Sequence, residues 1–166
     1  MKLVRNQFGK KTLRINMTVF FLDTNMLWWY FVKNSKYHQS VKIFLDKLIL
    51  DTRNSFIVNE FVMIELFHLL ITKKGKEGFQ IASKLLNENY PFFTIEYDIL
   101  QISDLGSILT ILIKYGTIST IGGRDSTIIH SMDSHNVRNI VTNDKGFEKV
   151  ESIKVHNPLG QLDESN

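Results

Sequence analysis

The sequence predicts an α/β domain of three layers, with a central, mainly parallel sheet between two layers of helices. Two observations predict it. Short runs rich in β-branched and aromatic residues alternate with segments of helical period along the chain. Acidic residues stand just past the ends of two of these runs, at Asp23 and Asp144, and open α/β sheets place their chemistry at the C-terminal ends of their strands. With 166 residues the chain is long enough for one domain with its own core.

Taken in order, Thr18 to Leu22 reads as a buried strand, and the aromatic-rich residues 26–33 as a short helix or turn. From Ser40 to Asp51, Val41, Phe44, Leu45 and Leu48 keep helix spacing. Phe56-Ile57-Val58 is a short strand. Asn59 can cap a helix running to about Thr72, stopped by Lys73-Lys74-Gly75. Residues 76–88 read as another helix, and Phe92 to Tyr97 as a strand started by Pro91. A long helix is expected over 98–115, ended by Gly116, then a loop over 117–123 and a helix over 125–135. Asn139 to Thr142 and Ile153 to His156 are the last strands. Right-handed crossovers would bring the C-terminal strand ends to one edge.

Composition narrows the class. Apolar residues make 43% and charged residues 22%, ordinary for a globular protein. No cysteine is present, which excludes disulfides, thiolate metal sites and thiol nucleophiles. The net charge of +3 is unevenly spread: Lys2, Arg5, Lys10, Lys11 and Arg14 give residues 1–17 a charge of +5, leaving 15 − 17 = −2 for the rest. The expected organisation is a basic, flexible arm over 1–17, a domain over 18–158 and a tail over 159–166. The arm is either a leader or a nucleic-acid contact. It has no apolar h-region, and no segment approaches the ~18–20 apolar residues of a membrane span. A cytoplasmic protein is expected.

Four acids carry the chemistry. Asp23 closes the first strand and opens the turn Asp23-Thr24-Asn25. Glu65 shares a helix stripe with Phe61, Val62 and Leu69, with no Lys or Arg one turn away on that face and His68 as the only candidate partner. A boundary glutamate reaching solvent is the alternative. Asp125 opens a helix on the same face as Ile128, Ile129 and Met132, where an N-cap role explains it as well. Asp144 follows the strand 139–142 as Asp23 follows the first, with a turn residue as the alternative. Carboxylates crowded together repel, and a hard divalent cation relieves this. The scattered histidines have no zinc spacing.

These segments resemble the PIN-domain family of nucleases. The resemblance covers about residues 18–157 and rests on Phe20 to Asn25, Asn59 to Leu66, Arg124-Asp125-Ser126, and Val141 to Asp144 with Phe147. The steps between the acids are 65 − 23 = 42, 125 − 65 = 60 and 144 − 125 = 19 residues. One departure is Ser126-Thr127, where small alanine-like residues are usual; the long arm before Met17 is another. The resemblance implies a ribonuclease dependent on Mg²⁺ or Mn²⁺ that hydrolyses single-stranded RNA. Asp23, Glu65, Asp125 and Asp144 would be its catalytic and metal-binding residues. Thr142 and Asn25 would support them by hydrogen bonds. Lys33, Lys36, Arg124 and Lys145 are candidate phosphate contacts. Small members of this kind are VapC-type toxins, which implies a homodimer and a cognate antitoxin.

Two rival readings compete with this one. An aspartyl phosphotransferase would need D-x-D where this chain has Asp23-Thr24-Asn25, and the chain has no D-x-D anywhere. A PIN-like domain that binds RNA or a partner protein with weak or no catalysis is the remaining alternative.

Overall fold

A computed structural model describes residues 17–87, 95–117 and 119–160. The first strand, β1 (Thr18–Leu22), runs straight into α1 (Thr24–Phe31), followed by α2 (His38–Leu50) and β2 (Asn54–Asn59). α3 (Glu60–Leu86) leads to β3 (Ile95–Asp98). A 3₁₀ turn over Ile102–Asp104 precedes α4 (Leu105–Tyr115), and α5 (Gly123–Ser134) leads to β4 (Asn139–Val141). A second 3₁₀ turn, Lys145–Lys149, precedes β5 (Lys154–His156).

The five strands form one sheet in the order β3-β2-β1-β4-β5, and every adjacent pair is parallel. Parallel strands need crossovers, and right-handed ones fix which face each helix covers. The chain moves one way across the sheet from β1 to β3, so α1, α2 and α3 share a face, and α1 packs on both others. It then returns past β1 to β4, which puts α4 and α5 on the opposite face, packed together. The result is the expected three-layer α/β/α arrangement.

Burial on both sides explains the strand sequences. Phe20, Phe21 and Leu22 of β1, Phe56, Ile57 and Val58 of β2, and Ile140 and Val141 of β4 are all buried. Met26, Leu27, Val41, Leu45, Leu66 and Leu70 cover one face, with Ile128, Ile129 and Met132 of α5 also in the core. Leu159 is buried in this core too, one residue past the expected end of the domain. Trp28 and Trp29 pack against the core rather than standing free, and Trp29 meets the Tyr37 ring edge-on at 4.8 Å.

α3 is two helical arms joined at Gly75, as the Lys73-Lys74-Gly75 stop predicts. Gly75 has φ of +52°, a left-handed conformation that glycine adopts without a Cβ penalty. The second arm returns so closely that a Cβ on Gly78 would lie 1.9 Å from the Leu70 carbonyl oxygen. α4 starts later than the expected residue 98, because Asp104 accepts from the Gln101 N–H and closes a 3₁₀ turn first. The start expected for the strand at Phe92 lies outside the described residues.

Candidate active site

The chain changes direction across the sheet between β1 and β4, and it is at the C-terminal strand ends there that open parallel sheets form their crevice. Asp23 stands at its floor. β1 ends at Leu22, and the Asp23 N–H continues the ladder by donating to Val141 O at 3.2 Å. Its carboxylate then caps α1 by accepting from the Thr24 N–H at 2.7 Å. The other oxygen accepts from the Thr142 hydroxyl at 2.8 Å. The side chain is fully buried, and burial pushes the Asp23 pKa up, against the opposing pull of Arg124 and of the Thr142 and Thr24 hydrogen bonds.

Asn59 positions the next acid. Buried between the helical layers, it caps α3 by accepting from the Val62 N–H at 3.0 Å. Its amide donates to Thr127 at 3.1 Å and Ser131 at 3.3 Å, tying the start of α3 to α5. One turn on, Glu65 is 35% exposed at the rim of the face buried by Val62, Met63 and Leu66. The expectation of a glutamate in the middle of an apolar stripe is therefore corrected: Phe61 is itself exposed. Thr24 reaches across and donates to Glu65 Oε2 at 2.6 Å.

The expectation that Glu65 lacks a basic partner is also corrected, because the partner comes from another element. Arg124, at the second position of α5, donates through Nη1 to Glu65 Oε2. Its Nη2 lies 3.1 Å from Asp125 Oδ1 and 3.9 Å from Asp23 Oδ1. Arg124, expected as a phosphate contact, stands among the acids. Burial opposes its charge, but the bond to Glu65 and the fields of Asp23, Glu65 and Asp125 outweigh this and raise its pKa further.

Asp125 is not the cap of α5. Gly122 takes that position, and Asp125, three residues on, accepts from the Gly122 N–H at 2.9 Å. That is one half of a capping box, and it leaves Oδ1 facing the crevice charge. Ser126 and Thr127 satisfy their hydroxyls on the carbonyls of Gly123 and Arg124, both at 2.7 Å, which accommodates polar groups where alanine-like residues are usual. Asp144 caps the second 3₁₀ turn by accepting from the Gly146 N–H at 2.7 Å. It joins the network through its own N–H, which donates to Thr142 Oγ1 at 3.0 Å.

So Asp23, Glu65 and Asp125 surround one guanidinium, and Asp144 is linked to Asp23 through Thr142. Residues 20–153 match the model of the PIN domain. The chain belongs to the PIN domain family. No curated protein matches it. Solved structures share the fold at low identity. VapBC2 from Rickettsia felis, bound to a DNA fragment from its promoter, is 20% identical with a TM-score of 0.60, covering 84% of this chain and 98% of that one. VapC20 from Mycobacterium tuberculosis, a Sarcin-Ricin loop cleaving toxin, is 14% identical with a TM-score of 0.64, covering 80% and 95%. FitAcB from Neisseria gonorrhoeae is 21% identical with a TM-score of 0.61, covering 85% and 99%.

In this PIN domain Thr24 is the residue of the cluster that the sequence reading lacks, and Arg124, expected as a phosphate contact, has the acids as its partners as well. Arg124 is adjacent to an acid already singled out, and a search for charge partners between helices would have found this pairing. Asn25, expected as a support, is half-buried beside Thr24, whose hydroxyl donates to Glu65. Lys33, Lys36 and Lys145 are exposed, and Lys36 lies over the Tyr37 ring at 4.7 Å. Among the described residues no three acids or histidines converge as a ready metal cage. The donor chemistry still fits a hard cation: the oxygens are all carboxylate, and three of them already gather around a positive group.

Proposed function

We propose that this PIN domain is a divalent-metal-dependent endoribonuclease that hydrolyses phosphodiester bonds of single-stranded RNA, acting as the toxin of a toxin–antitoxin pair. The observation that carries the reading is Asp23. A fully buried carboxylate with a raised pKa, sharing the Arg124 guanidinium with Glu65 and Asp125, is costly for stability. Such cost at a strand end marks function.

Asp23, Glu65, Asp125 and Asp144 would hold Mg²⁺ or Mn²⁺. When bound, the ion lowers the pKa of a water and offsets negative charge on the phosphate. The rest falls to the chain's own groups. Thr24 N–H and the Thr142 hydroxyl fix both Asp23 oxygens, and the Thr24 hydroxyl fixes one oxygen of Glu65. These bonds hold the acids in place before substrate arrives. A carboxylate not engaged by Arg124 can accept the proton of the attacking water. The Arg124 fork matches phosphate oxygens and, being 30% exposed, can reach them. Water adds across the P–O bond, leaving a 3′-hydroxyl and a 5′-phosphate as the family resemblance implies.

The antitoxin part of the reading is supported by the complexes among the structural neighbours. It is also supported by the aliphatic row Ile102, Leu105, Leu109 and Ile113, exposed at one-helix-face spacing along α4 and the turn before it.

The test is cleavage of a mixed single-stranded RNA with Mn²⁺, with EDTA, and with Asp23→Asn. Cleavage is expected only for the wild type with metal. Persistent cleavage in EDTA or in the variant sinks the metal reading. Intact RNA binding without cleavage under any condition favours a binding module.

A further inference from the structure

We infer that Arg124 is a built-in counter-ion that a divalent cation must displace, so that metal affinity is set by competition with the chain's own guanidinium. The inference rests on the metal reading of the site and specifies how that site is regulated.

The two cations would share the same oxygens. The oxygens Arg124 faces, Glu65 Oε2, Asp125 Oδ1 and Asp23 Oδ1, come from three different elements and converge on one group. A hard cation approaches carboxylate oxygens to about 2.0–2.2 Å. With Nη2 only 3.1 Å from Asp125 Oδ1, an ion ligated there would sit against the guanidinium. Like charges at such contact repel strongly in a partly desolvated crevice.

The position of Arg124 points the same way. It is the second residue of α5, beside the positive end of the helix dipole, where a cation is unfavourable. The helix gains nothing from an arginine there; the acids hold it. Asp125, its neighbour, has one oxygen committed to the Gly122 N–H and the other to Arg124, so releasing Arg124 frees one oxygen without disturbing the start of α5. The side chain is 30% exposed and has solvent to swing into. Metal loading would thus do two things together: occupy the acids and release a guanidinium at the mouth of the crevice, available to a phosphate.

The test is calorimetric titration of MnCl₂ into the EDTA-stripped full chain, wild type against Arg124→Met, which keeps the aliphatic stem and removes the charge. The variant is expected to bind Mn²⁺ about tenfold or more tightly, the scale on which a neighbouring charge alters proton binding to a carboxylate. Equal or weaker binding by the variant, with the wild type binding, overturns the counter-ion role and leaves the metal reading standing. No binding by either protein overturns both. A second measurement needs no variant: the Arg124 Nε–H resonance of the ¹⁵N-labelled wild type should move as MgCl₂ is added, because Arg124 leaves Asp125. A resonance unchanged at saturating Mg²⁺ overturns the proposal even if Arg124→Met does not fold. A merely structural role would lower the melting temperature of the variant and leave Mn²⁺ affinity where it was.

Discussion

Thr142 Oγ1 donates to Asp23 Oδ2 at 2.8 Å, joining two residues 119 apart in sequence at adjacent strand ends. The same oxygen accepts the Asp144 N–H at 3.0 Å. One hydroxyl therefore connects two of the four acids. Thr142→Val keeps the shape and strands both partners. A loss of about 1–3 kcal/mol in urea unfolding is expected, together with a large loss of cleavage. Thr142→Ser should restore most of both. A Val variant as stable as wild type would show the hydroxyl to be dispensable.

Asp23 makes the metal-free protein sensitive to pH in an unusual direction. Its folded pKa is raised above the ordinary value of 3.8, so the folded state holds its proton more tightly than the unfolded chain. Its contribution to stability is present below 3.8 and is lost as pH rises through the raised folded value. Melting curves in EDTA from acid to neutral pH should therefore show this slope in the wild type and not in Asp23→Asn. At neutral pH in EDTA the variant should melt higher, by ~2–4 °C for each kcal/mol gained. A lower melting point for the variant would mean that the lost Arg124 contact outweighs the relief of burial.

Asp144 has two separable roles. As the cap of the second 3₁₀ turn it needs only an acceptor oxygen for the Gly146 N–H. Asp144→Asn keeps that acceptor and should leave stability within about 0.5 kcal/mol, whereas Asp144→Ala should cost about 1 kcal/mol. Both should lose cleavage if the charge is what the site needs. Full activity in the Asn variant would assign Asp144 to the turn alone.

The doubled-back α3 gives a prediction away from the site. Gly78→Ala puts a methyl group against the Leu70 carbonyl, which cannot yield as a flexible side chain can. A destabilisation of about 1–3 kcal/mol is expected. Gly106→Ala, with no heavy atom within 4 Å of its added carbon, is the control and should be neutral or slightly stabilising. Equal effects at the two positions would contradict the close approach of the two arms.

The sheet and the edge that carries the acids were legible because their signals are local. The run Thr18 to Leu22, the Asn59 cap and the Gly75 stop each declare themselves within a few residues. Glu65 was harder. Helical spacing puts it near apolar residues, but which side of a stripe faces the core depends on what packs against it, and Phe61 faces outward. The bonds that Arg124 and Thr24 make to Glu65 are not legible in the sequence, because they span 59 and 41 residues, beyond any periodicity. The sequence leaves Asp125 between cap and site; in the fold Gly122 is the cap, and Asp125 accepts from the Gly122 N–H with one oxygen and faces Arg124 with the other.

The place of β1 in the sheet has a consequence for how the molecule comes into being on the ribosome. β1 is made first yet lies in the middle, with β2 on one side and β4 on the other. Until residues 139–141 emerge, its second edge has no neighbour. Asp23 and Glu65 precede that moment, while Asp125 belongs to the helix leading into β4 and Asp144 follows it. A nascent chain shorter than this holds only part of the acidic set, which is completed only when the last third of the domain closes onto its first strand.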